Sequence, residues 1–158
     1  MSTLNDVELG ELSWDLAWVR PLQCELFGAR HTLQLVIVAY DESPPLDIQR
    51  QAFAHFLQRA PSIVSEVETE LLHYYLNNLE EWREQFGDTA DQLAPYASSA
   101  ADLSRLLRPT HLLVCDPFDS SDRIVGFLFD CSWDIEHGVG VKIVNEQVVE
   151  VGPQDILL

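Results

Sequence analysis

The chain has 158 residues, 26 of them Asp or Glu and 9 Lys or Arg, for a net charge of -17. Apolar residues make up 47% and charged residues 22%, which excludes a disordered acidic chain, a collagen, a coiled coil and a disulfide scaffold. The acidity also argues against direct nucleic-acid binding, which needs a basic footprint. The longest purely apolar run, residues 35–40, is far short of the ~20 residues that span a bilayer. Residues 1–10 are polar and acidic and do not resemble a signal peptide. Cys24, Cys115 and Cys131 are odd in number and scattered, as expected of reduced thiols in a cytoplasmic protein.

The first third has strand character. Trp14, Leu16 and Trp18 alternate over residues 12–19, and Pro21 breaks the run. Residues 22–27 form a second short run, and Gly28, Ala29 and Arg30 a turn. Residues 33–40 are apolar on both faces, the mark of a central strand.

Two helices are expected next, over 44–86. Ser43 is placed to cap the first, with Pro44 in its first turn and Asp47 near its positive end. Ile48, Ala52, Phe53, Phe56 and Leu57 form its apolar stripe. Pro61 opens the second helix, and Val64, Val67, Leu71, Tyr75, Leu79, Trp82 and Phe86 recur at steps of three and four until Gly87. Residues 88–100 are expected as a loop, followed by a short helix over 101–107 stopped by Pro109.

The last third returns to strands. Residues 110–115 form one, and an acidic turn over 116–122 leads into the clearest, 124–133. Residues 139–143 alternate next, and Asn145 and Glu146 make a tight turn into 147–151. The pattern predicts one domain over 1–158, with strands over 12–40, a helix pair over 44–86, a loop and short helix over 88–108 and strands over 110–152. The expected class is α+β, a mainly antiparallel sheet with a long helix pair packed on one face.

Standard catalytic signatures are absent. Gly138, Val139 and Gly140 lead into a strand and not into a phosphate-binding helix. Two clusters carry candidate chemistry. Asp134, Glu136 and His137 follow the clearest strand; these residue types bind hard or borderline metals or move protons, and they also build strand-ending turns. Asp116, Asp119 and Asp122 are three acids in seven residues, without the spacing of a calcium loop. The residues call for no cofactor and no metal.

The C-terminal part resembles a family of small bacterial proteins known only as a domain of unknown function. The resemblance rests on Cys131, Trp133, Asp134, Glu136, His137 and Gly138 in a Cys-x-Trp-Asp-x-Glu-His-Gly pattern, and on the Val-Glu-Val-Gly-Pro-Gln-Asp run ending at Asp155. Gln51, Phe53 and Phe56, then Tyr74 and Tyr75, then Arg108 and Thr110 extend it over about residues 30–158. Val139 stands where the family usually has Leu. The resemblance implies a genetic setting beside polymorphic toxins or secretion-system effectors, and so an immunity role. It implies no catalytic residue.

Three functions follow as expectations. The first is an immunity protein that binds and occludes a cognate toxin. Asp116, Asp119, Asp122, Asp134, Glu136 and His137 would be its contacts and an exposed Trp its anchor. The second is a metal-dependent hydrolase or ligand-binding enzyme using Asp134, Glu136 and His137. The third is a homodimeric adaptor, joined through the helix pair or a sheet edge.

Overall fold

A computed structural model describes residues 2–158. Its strands are β1 (Thr3–Asp6), β2 (Gly10–Trp14), β3 (Trp18–Leu26), β4 (Ala29–Ile37), β5 (Leu107–Val114), β6 (Ile124–Cys131), β7 (Val139–Val144) and β8 (Gln147–Gly152). Its α-helices are α1 (Asp47–Gln58), α2 (Ala60–Phe86) and the single turn α3 (Ala90–Leu93). Short 3-10 segments cover Gly87–Thr89, Ala100–Leu103 and Gln154–Leu157.

The eight strands form one sheet in sequence order. The expected mainly antiparallel sheet is instead mixed, because β4 pairs with β5 in parallel. The cause is the crossover: α1 and α2 carry the chain back over one face, so β5 starts from the same end as β4. The expected long helix pair is also corrected. Only α2 is long, at 27 residues, while α1 has 12. The chain stays extended through Pro44 and Pro45, and α1 begins three residues later than Ser43 predicts. Ser43 does not cap it; its carbonyl accepts the Trp18 indole N–H at 2.7 Å.

Gln49 takes over at that helix start. Its Oε1 accepts the Leu46 N–H at 2.9 Å, and its Nε2 donates to the Val38 carbonyl at 2.8 Å and the Val114 carbonyl at 3.3 Å. One side chain thus ties α1 to the ends of β4 and β5. Gln49 is the one polar residue buried as a whole among the described residues, and all its bonding groups are used.

The core lies between the sheet and the helices. Leu35, Ile37, Val114, Phe127 and Val141 face Phe53 and Phe56 of α1 and Val67, Leu71 and Tyr75 of α2. Phe56 meets Phe127 edge-on at 5.8 Å. Each such side chain contributes about 1.5–3 kcal/mol on full burial. The opposite face of β6 and β7 is covered by the Gln154–Leu157 segment; a Cβ at Gly126 would lie 2.5 Å from Leu157 Cδ1, so only glycine lets the segment sit so close.

β3 runs unbroken through Pro21, and the expected strand over 12–19 is split by a turn at 15–17. β1 was not expected at all. The predicted loop over 88–100 is partly helical, β5 starts at Leu107 and includes Pro109, and a bulge separates Pro109 from His111 in its pairing with β6.

Candidate functional site

The two acidic clusters occupy opposite ends of β6, roughly 25 Å apart by the rise of an eight-residue strand. Asp116, Asp119 and Asp122 lie in the loop before it, and Asp134, Glu136 and His137 in the turn after it. They do not form one contact face.

The turn after β6 is a knot of internal bonds. Asp134 Oδ1 accepts the His137 N–H at 3.1 Å and faces His137 Nδ1 at 3.0 Å. The Asp134 carbonyl accepts the Gly138 N–H at 2.9 Å and the Cys131 thiol at 3.4 Å. Gln154 donates its N–H to the His137 carbonyl at 3.0 Å and its side-chain amide to the Phe129 carbonyl at 2.9 Å. Gly138 has φ of 59°, and a Cβ there would approach Gln154 Nε2 at 2.4 Å. Trp133 is buried, stacked on Trp82 at 5.1 Å and tilted against Tyr75 at 4.9 Å. Ser132 Oγ donates to the Leu93 carbonyl at 2.7 Å. Glu136 points into solvent and joins none of these bonds. Every polar contact described here closes the turn or holds it to α3 or the C-terminal segment, and the Trp133 ring packs it on α2. Among the described residues, no three His, Cys, Asp or Glu side chains converge on a point that suits a metal ion.

The other end of the sheet is built differently. Here lie the carboxyl ends of β4 and β5 and four connections: residues 15–17, 38–46, 115–123 and 145–146. They are laced together side by side. Trp18 bonds Ser43, the Val38 N–H bonds the Val114 carbonyl at 3.0 Å, and Asn145 Nδ2 bonds Asp122 at 3.1 Å. The row spans five strand spacings, about 25 Å.

This end exposes what a core normally hides. Leu16 is 88% exposed, Phe118 72%, Tyr40 58% and Leu46 44%. Asp15, Asp41, Glu42, Asp116, Asp119 and Asp122 stand among them. Arg123, which also lies here, is already held by Glu146 at 2.8 Å. That bond keeps the Glu146 carboxyl below its usual range. Six of the seven non-glycine residues with positive φ are here: Leu16, Asp41, Glu42, Phe118, Asn145 and Glu146. For Leu and Phe this conformation costs on the order of 1–2 kcal/mol. A crevice of about 190 Å³ opens between Tyr40, Pro44, Leu46 and Asp116.

No exposed Trp anchors this surface: Trp18 and Trp133 are buried, and Trp14 and Trp82 are half-buried. The apolar anchors are Leu16, Tyr40, Leu46 and Phe118. Sequence patterning misses them because Leu16 and Tyr40 each sit in register with a strand. Phe118 alone carried a visible signal, a large aromatic inside an acidic turn. The three thiols are not activated: burial pushes Cys24 and Cys115 up to about 11 and Cys131 up to about 12.

No curated protein and no solved structure matches the chain. A family model described as a domain of unknown function, DUF6985, matches residues 8–158, and the chain belongs to that family.

Proposed function

We propose that the chain is a protein-binding protein and, in its most specific form, an immunity protein that binds and occludes a cognate basic toxin. The observation that carries this reading is the cluster of exposed Leu16, Tyr40, Leu46 and Phe118 among six acids at one end of the sheet. Acids speed encounter with a basic partner by long-range attraction, and apolar anchors contribute affinity once desolvated. The loops hold Leu16 and Phe118 in costly backbone conformations, which keeps these two displayed in place of a relaxed turn. The charge of -17 and the family's implied setting beside toxins point the same way. Asp116, Asp119 and Asp122 are then the contact acids. Asp134 and His137 shape the far turn, and Glu136 stands apart from the surface.

Affinity capture from native cell lysate at low and high salt tests the reading, with three baits compared. Wild type is expected to retain one stoichiometric basic protein at low salt and release it at high salt. The D116N/D119N/D122N bait is expected to lose it, and the E136Q bait to keep it. Retention by the triple variant, or loss with E136Q alone, overturns the assignment of the surface.

A further inference from the structure

Inside the sheet, residues 21–26 of β3 present an open strand edge. β2 pairs with β3 only at Ser13–Val19 and Trp14–Trp18. Before that point the β1–β2 hairpin diverges from β3 toward α1: Leu9 and Leu12 are fully buried, and Asp6 pairs with Arg50 at 2.8 Å. β3 meanwhile continues to Leu26, paired along its other side with β4.

The hairpin turn fixes which backbone groups are free. Phe27 and Gly28 have φ of 54° and 74°, and Leu26 pairs with Ala29 across them. A two-residue turn with both residues left-handed closes on a hydrogen-bonded pair, and such pairs alternate along an antiparallel ladder. Leu26, Cys24 and Leu22 therefore bond to β4, while Glu25, Gln23 and Pro21 turn their groups outward. Pro21, which has no N–H, sits at an outward position, and its carbonyl accepts Arg20 Nη1 at 2.9 Å. Among the described residues, no strand takes up the N–H and C=O of Gln23 or Glu25.

A cleft of about 320 Å³ runs beside this edge, between β3 and the junction of α1 with α2. Leu22, Phe56 and Val64 form its apolar floor, and Leu57 its rim. Glu68 closes the end near the hairpin turn, and burial pushes its carboxyl above the usual range. Glu25 lies along the edge on the opposite strand face, with Arg30 across from it, and Glu11 borders the neighbouring hollow. Arg20 is occupied by the Leu9 and Pro21 carbonyls and the Phe53 ring.

We propose that this edge accepts an extended basic segment of another protein as an added β-strand. Its apolar side chains enter the cleft, and its alternate Lys or Arg side chains face Glu11 and Glu25 on the other strand face. The free backbone groups supply the ladder, and the cleft supplies the side-chain pocket that such strand addition uses. A second copy is the poorer occupant, because two chains of -17 repel and each brings Pro21 to the shared edge. The site lies at the Leu26 end of β3, away from the loops of the proposed docking surface, and does not rest on that reading.

The test uses the full chain, nitrogen-15 labelled, and an acetylated, amidated hexapeptide of alternating Lys and Val. At saturation the Gln23 and Glu25 amides are expected to shift and to exchange at least about tenfold more slowly, as a new backbone hydrogen bond requires. Q23P removes an outward N–H at a position equivalent to Pro21, and is expected to weaken binding by about tenfold or more with folding retained. Two peptides N-methylated on alternate residues provide a check on the wild-type protein: one register is expected to lose binding and the other to keep it. Equal binding of both N-methylated peptides, equal binding of a Glu-Val analogue, full binding by Q23P, or sedimentation of the free chain as a dimer blocked by Q23P would each overturn the proposal.

Discussion

The two ends of β6 differ in how they use polar residues. After β6, Asp134, His137, Gly138 and Gln154 bond one another, and Trp133 is driven between Tyr75 and Trp82. Before β6, Asp116, Asp119 and Asp122 share an open surface with Phe118, and left-handed backbone recurs in the neighbouring loops. Both ends have acidic clusters of similar density in the sequence. The first cluster closes its own turn; in the second, Asp116 and Asp122 also accept bonds, from the Phe118 N–H and Asn145, while Asp119 is exposed beside Phe118.

The comparison breaks most readily at Trp133. Trp133→Ala is expected to cost about 3–5 kcal/mol, because it empties a buried aromatic stack. Urea denaturation measures this; a loss under 1 kcal/mol would mean the turn does not hold the fold. Gln49→Leu comes next, at about 1–3 kcal/mol, since it strands the Val38 carbonyl and the Leu46 N–H and leaves the Val114 carbonyl with the Val38 N–H alone. The same denaturation series checks it, and an unchanged midpoint would show that water replaces the side chain.

At the open end the sign reverses. Phe118→Gly relieves a left-handed aromatic residue and is expected to raise stability by up to about 1 kcal/mol. It should weaken capture of the partner at the same time. A destabilised Phe118→Gly would mean that the ring packs against its own chain.

The smallest effect is a pH dependence. Hydrogen bonding to Arg123 lowers the folded carboxyl of Glu146 below its ordinary value of 4.5. That contribution is fully present above about pH 4.5 and is lost as pH falls through the lowered folded value. Arg123→Met should therefore flatten the acid limb of a plot of denaturation midpoint against pH. An acid limb unchanged from wild type would remove Glu146 from the account.

Much of the architecture was legible in the chain. The stripe from Val64 to Phe86 gave α2, Pro61 its first turn and Gly87 its stop, because helix period and caps are local properties. The alternation over 124–131 and the Asn145–Glu146 turn were legible for the same reason. The site was less so. Asp134, Glu136 and His137 look alike as a metal cluster, a contact patch or a turn, and only the position of Gln154, about twenty residues on, separates these.

The sequence by itself determined where the two main helices and most of the strands lie, the net charge of -17 and the apolar stripes that must be buried, since these follow from neighbours along the chain. The tertiary structure alone decided that β4 and β5 run parallel, that β2 leaves the edge of β3 open, and that the two acidic clusters face opposite ends. Each of these depends on pairing between distant residues. Local periodicity fixes which face of a strand is apolar, but not which strand lies beside it or what remains uncovered.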